Sequence, residues 1–181
     1  MNTKQRRNFV CLFIIYSTIF VILVTFTTLP DELSSIDRYL EFERIIDVKK
    51  NDLFFVMADI EKYPLILPDS YVSVEIIDKK DNSIIALETV REAGIQTTFK
   101  VKHDFIQNEL HQITILDGDA KDTNISVWFN DFDGNKTKIL VESNFHFKGI
   151  MTPFGIIPDW NLQHALNSIL NMFTEYIQNT K

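Results

Sequence analysis

The sequence predicts an α+β domain: a curved seven-stranded antiparallel sheet closed over one long C-terminal helix, reached through a single N-terminal transmembrane helix. Three observations carry this. Residues 9–29 hold no charged side chain. From Tyr71 onward apolar and polar residues alternate with a period of two. Residues 158–178 change to a spacing of three and four.

The charge-free run, Phe9 to Leu29, has fifteen apolar residues out of 21; Tyr16, Ser17, Thr18, Thr25, Thr27 and Thr28 are the exceptions. As a helix it reaches roughly 31 Å, close to the hydrocarbon thickness of a bilayer. Lys4, Arg6 and Arg7 precede it, and Asp31, Glu32 and Asp37 follow. The positive-inside rule then leaves residues 1–8 in the cytoplasm, and 30–37 as a linker to an extracytoplasmic domain at 38–181. A cleaved signal peptide is the rival reading. Its apolar region is usually shorter and ends in a small-residue site, which Thr25 to Leu29 lacks.

The first strand spans Arg38 to Val48, with charges between Tyr39, Leu40, Phe42, Ile45, Ile46 and Val48. Asn51 or Asp52 can cap a short helix through Leu53 to Ala58. Pro64 and Pro68 limit Leu65-Ile66-Leu67 to one helical turn. Val72, Val74 and Ile76 open the alternating region. Asp81-Asn82 reads as a hairpin turn into a strand at Ser83 to Arg91. Ile95, Thr97, Phe99, Val101, His103 and Phe105 then share one face. Strands follow at Leu110–Leu116, at Ile125–Phe132 and, past the two-residue hairpin signal Asp133-Gly134, at Lys138–Phe147. Gly149, Pro153, Gly155 and Pro158 break the pattern. In the last helix Leu162, Ala165, Leu166, Ile169, Met172, Phe173 and Tyr176 form an apolar stripe.

One helix cannot cover seven flat strands, which at ~4.8 Å each are roughly 34 Å across. The sheet must curl, and a cavity is expected where it bends away from the helix. Phe99, Val101, His103, Val141, Phe145, Leu166, Ile169 and Phe173 are the expected lining. The rings of Phe105, Trp128, Phe129, Phe147 and Trp160 are read either as further lining or as ordinary core.

This order of elements, with Leu53 to Ala58, Asp59-Ile60-Glu61-Lys62-Tyr63-Pro64 and Leu67-Pro68 near the start, resembles the START-like, helix-grip superfamily (SRPBCC). The stretch from Ile115-Leu116-Asp117-Gly118-Asp119-Ala120-Lys121 through Trp128-Phe129 and the Asp133-Gly134 hairpin to Phe147 is similar to its polyketide cyclase/dehydrase and coenzyme-Q-binding branches. The likeness spans about residues 38–178. It implies a cavity for lipids, quinones, sterols or polyketides, and it supplies no catalytic motif.

Composition excludes several classes. The net charge is −7, and residues 31–181 carry 15 Lys and Arg against 25 Asp and Glu, which argues against nucleic acid as a partner. Cys11 is the single cysteine, so no disulfide framework, Cys-based zinc finger or CxxC site is possible. No G-x-S-x-G, Walker A, GxGxxG or HExxH motif occurs, and no cofactor or metal is expected. Asp131, Asp133, Asn135 and Glu142 imitate a calcium loop, but Lys136 stands where its glycine belongs, so they read as turn residues, as do Asp117, Asp119 and Asp122. Asn124 and Asn135 head glycosylation sequons. Among His103, His111, His146 and His164 no pair has zinc-ligand spacing. His103 lies at an inward strand position, as a hydrogen-bonded core or rim histidine or, alternatively, a general base. Glu88 and Arg91 are read as solvated, since charged residues are mostly exposed, with an inward position as the alternative.

The expected function is membrane-tethered binding of a hydrophobic small molecule or lipid between sheet and C-terminal helix. A cyclase or hydratase using His103 with a carboxylate is the alternative, as is an interaction domain with a filled core. Inward polar pairs would favour the enzyme.

Overall fold

A computed structural model describes residues 35–92 and 94–180. The expected transmembrane helix at 9–29, the segment 1–8 and most of the linker 30–37 lie outside the described residues. No helix among the described residues is long and apolar enough to cross a membrane.

Seven strands form one antiparallel sheet: β1 (Ile36–Ile46), β2 (Tyr71–Lys80), β3 (Ser83–Glu92), β4 (Ile95–Ile106), β5 (Leu110–Ile115), β6 (Asn124–Asp131) and β7 (Thr137–Phe147). Their spatial order is β1-β7-β6-β5-β4-β3-β2. Every link from β2 to β7 therefore joins neighbours, and only the β1-to-β2 passage crosses the sheet. That passage contains α1 (Lys50–Ala58), a 3₁₀ turn at Ile60–Lys62 and α2 (Tyr63–Ile66). After β7 come a 3₁₀ turn, a single turn α3 (Thr152–Gly155) and the long α4 (Asp159–Asn179). Register breaks between Tyr71 and Ser73 and between Ile76 and Asp78 mark bulges in β2, which bend that edge.

Three local expectations change or sharpen. Lys49, not Asn51 or Asp52, is the N-cap of α1, because Lys49 has extended backbone and its carbonyl accepts the Leu53 N–H at 3.0 Å. The Asp81-Asn82 turn is the expected two-residue connection, since Lys80 pairs with Ser83. The β6–β7 loop, in contrast, is five residues long, 132–136, because the Asp131 and Asp133 carboxylates each accept two backbone N–H groups there. Those carboxylates are occupied by turn-making, which accounts for the imitation of a calcium loop.

Inward residues of every strand but β5, together with α1, α2 and α4, make the main core. Leu53, Ile60, Leu67 and Ile139 are almost fully buried there, and Phe54 packs edge-on against Phe129 and Phe105. A second, smaller cluster of Phe99, Val101 and Ala120, with Val90, Ile113, Ile115 and Met151, sits on the middle of β4. β4 has twelve residues, so at ~3.4 Å each it extends roughly 40 Å, longer than one helix can cover.

Helix α4 is tied to the edge strand by two arginines. Arg38 donates to the carbonyls of Gly155 (2.6 Å) and Ile157 (2.8 Å) and pairs with Asp159; Arg44 donates to the Asn167 carbonyl (3.0 Å) and to Asn171. Both occupy inward positions of β1 and reach past the core with their charged ends. On α4, Leu170, Phe173 and Ile177 are buried, whereas Leu162, Leu166, Ile169 and Met172 are only half-buried. The stripe is thus seated firmly at its C-terminal half and loosely at its N-terminal half.

Candidate functional site

A cavity of about 110 Å³ lies where the loose half of α4 faces the sheet. Ile113, Ile125, Val127 and Val141 form its floor on β5, β6 and β7. Leu166, Ile169, Leu170 and Phe173 form its roof on α4, and Met57, Tyr63, Leu67 and Tyr71 close one side. All but the two tyrosines are apolar, so the space has little to offer bulk water. A wider groove of about 470 Å³, bounded by Phe54, Lys79, Lys80, Asp81 and Gln107 among others, lies outside the core between α1 and the β2–β3 turn. Its charged lining makes it a solvated surface feature, and the apolar space beneath α4 is the better ligand site.

Of the residues expected to line a cavity, Val141, Leu166, Ile169 and Phe173 stand in its walls. Phe99 and Val101 do not: they belong to the second cluster, beneath Ala120 and Met151. Phe145 stacks on Phe147 at 5.5 Å and lies outside the cavity walls. Trp128 and Trp160 are not inward rings either. Trp128 donates to Glu142 on the outer face, and Trp160 is 68% exposed.

His103 is fully buried and is bonded on both sides. Its Nε2 lies 2.7 Å from Glu88 Oε1 and its Nδ1 lies 2.8 Å from His111 Nε2. The expectation that Glu88 is solvated is therefore corrected: the residue is 2% exposed and faces inward with Ile84 and Ala86, held by the His103 donor. A carboxylate can enter the core when such a partner meets it. In register, Ala86 and Val101 lie between Glu88 and His103 on their two strands, and the small Ala86 leaves room for the long side chains to meet. Arg91 remains exposed.

Proton positions follow from the acceptor at the end of the chain. A carboxylate only accepts, so His103 carries hydrogen on Nε2. His103 Nδ1 and His111 Nε2 share the second bond, one ring donating and the other accepting. Burial, and then the proximity of His103, push the His111 pKa well below its ordinary value of 6.5. Burial, and then the Glu88 charge, push both Tyr63 and Tyr71 well above the usual phenol range. The Tyr63 hydroxyl donates to the Met57 carbonyl at 2.7 Å. Tyr63 and Tyr71, in the cavity wall, thus face the Glu88 end of a buried polar chain.

His111 sets a testable pH dependence. The unfolded chain protonates this imidazole near 6.5 and the folded chain only at lower pH, so the unfolded state binds the extra proton in that window. Stability should be insensitive to His111 well above pH 6.5 and fall below it by up to ~1.4 kcal/mol per pH unit. Urea midpoints measured against pH should show this slope, and His111→Phe should flatten it; equal slopes in both proteins would contradict the assignment.

Sequence alternation located His103 but not its partners. β3 is apolar at both parities (Ile84 and Ala86, Ile85 and Leu87), so its inward face is undefined until it pairs with β4. His111 did carry a signal, since it shares parity with Ile113 and Ile115 on β5.

Comparison with known structures agrees with this architecture. The chain is similar to an aromatase/cyclase from Streptomyces sp. R1128 at 16% identity, covering 78% of this chain and 94% of that one, with a TM-score of 0.62. A protein from Thermus thermophilus superposes with a TM-score of 0.66 at 14% identity, covering 80% and 99%. Norcoclaurine synthase from Thalictrum flavum, in complex with dopamine and hydroxybenzaldehyde, gives 0.62 at 15% identity, covering 83% and 92%. At such identities the likeness shows the helix-grip fold alone. No curated protein matches the sequence. Residues 46–168 match the family described as polyketide cyclase/dehydrase and lipid transport, and since that is well over half of the chain, the chain belongs to this family.

Proposed function

We propose that the chain binds a hydrophobic small molecule in the cavity between the sheet and α4, and does so tethered to a membrane by residues 9–29. The cavity carries this reading: a space of about 110 Å³, apolar on floor and roof, under a helix whose apolar stripe is only half-buried at that point. Uptake would be driven by removing the ligand's apolar surface from water. Family membership supports a hydrophobic ligand. The size of the space favours a small molecule over a lipid, because pockets for larger ligands run to about 300–1,000 Å³. Tethering would keep the domain near ligands that partition into the bilayer.

A second reading, acid–base chemistry on the bound molecule, has one observation in its favour. Glu88, His103 and His111 form an inward polar chain that a mere container does not need. Native mass spectrometry of the full-length chain from its host's membranes tests the first reading: a bound small molecule should accompany the protein, and a bare mass alone would count against it. Protease added to intact cells should digest the domain, and full protection would overturn its placement outside the cytoplasm.

A further inference from the structure

The segment between β7 and the first turn of α4 has no charged side chain from Gly149 to Pro158. Ile156 (71%) and Trp160 (68%) are the most exposed large apolar side chains among the described residues, and Ile150 is half exposed. Pro153 and Pro158 are exposed between them. Single exposed apolar residues are ordinary, but three large ones within eleven residues form a patch, and a patch marks an interaction site.

The fold fixes where this patch lies. Ile36, the first residue of β1, pairs with Phe147 at the end of β7, so the segment leaves the sheet beside the point where the chain enters it. Gly155 packs on Ile36 so closely that a Cβ there would lie 2.7 Å from the Ile36 Cβ. Arg38 holds the segment by the Gly155 and Ile157 carbonyls and pairs with Asp159. These two carbonyls therefore need no water when the side chains beside them leave it. Seven peptide steps separate Ile36 from Leu29, the last residue of the charge-free run, and they span at most roughly 25 Å. The patch thus lies at the end of the domain that a tether at 9–29 would hold nearest the bilayer.

Charge selects the kind of surface. Residues 31–181 carry 25 Asp and Glu against 15 Lys and Arg, so anionic headgroups would repel the domain. Contact with uncharged or zwitterionic lipid has to be apolar, and tryptophan favours the membrane–water interface.

Resting on the proposed tether, we infer that Ile150, Ile156 and Trp160 insert into the interface of the bilayer that anchors the chain, docking the domain on zwitterionic phospholipid. Docked in this way, the loosely seated N-terminal half of α4 lies next to the lipid surface.

The chain has two tryptophans, so Trp128→Phe leaves Trp160 as the single reporter. The test uses this variant of the full-length chain, reconstituted into phosphatidylcholine vesicles. Phosphatidylcholine brominated in the upper acyl chain should quench Trp160 emission at least about twofold relative to unbrominated lipid, because interfacial side chains sink roughly 5–10 Å to the headgroup–acyl boundary. Quenching should persist at high salt, which screens charge but not apolar contact. Adding Ile150→Asp and Ile156→Asp, both at exposed positions, should abolish it. If brominated lipid leaves Trp160 unchanged while the chain floats with alkali-washed vesicles, the docking fails and the tether stands. Equal quenching with and without the two aspartates overturns the docking as well, since tethering alone would then bring Trp160 to lipid. Emission that changes only with the protein-to-lipid ratio would assign the patch to a second copy of the chain instead. If the chain does not float with the washed vesicles, tether and docking fail together.

Discussion

Replacing His103 by leucine should destabilise the domain by about 3–5 kcal/mol, the cost of leaving one member of a buried pair without the other. Glu88 is 2% exposed, and its carboxylate would lose the 2.7 Å bond from His103 Nε2 without gaining access to water. Domains of this kind have only about 5–15 kcal/mol in total, so the variant should sit near the edge of folding. Adding Glu88→Leu to His103→Leu should recover most of the loss, because apolar replacement of a whole buried pair is often neutral or stabilising. Urea denaturation of the single and double variants forms the cycle. Recovery would mean that Glu88 and His103 are kept for what they do rather than for stability. If His103→Leu costs nothing, Glu88 is not held as described.

Val141→Trp should abolish ligand uptake and cost only ~1–3 kcal/mol of stability, the usual range for overpacking. Val141 is 2% exposed and stands in the cavity floor opposite Val127 on β6 and Phe42 on β1. An indole at that position projects into the open volume, and half-buried Leu166 and Ile169 on the roof have room to adjust. In native mass spectra the variant should remain folded and carry no small molecule. Collapse of the fold would mean that the core is filled, which favours an interaction domain over a binding domain.

The element order was legible because each signal is local. Period-two alternation in β4 and β7, and the three-and-four spacing of Leu162, Leu166, Ile169 and Phe173 in α4, each specify one buried face. The curl of the sheet followed from counting, since one helix is narrower than seven strands. Which inward residues meet the helix was not legible. Phe99 and Phe173 both point inward, but Phe99 packs mid-strand under Ala120, and only the placement of α4 along the strands decides this. The polar chain was half legible for a related reason. His103 stands out on a clean alternating strand, whereas Glu88 lies on a strand with apolar residues on both faces, and the contact between them spans two strands at an offset of four residues. Such long-range pairs depend on register, which neither strand encodes alone.

The central claim is that the space between sheet and α4 takes up an apolar guest, and a crystal of the protein held under xenon tests it without knowing the natural ligand. Xenon enters dry apolar cavities. The account predicts xenon density bounded by Ile113, Ile125, Val127, Val141, Leu166 and Ile169 in the native protein, and none there in Val141→Trp. An empty site in the native protein, or equal occupancy in both, would contradict it.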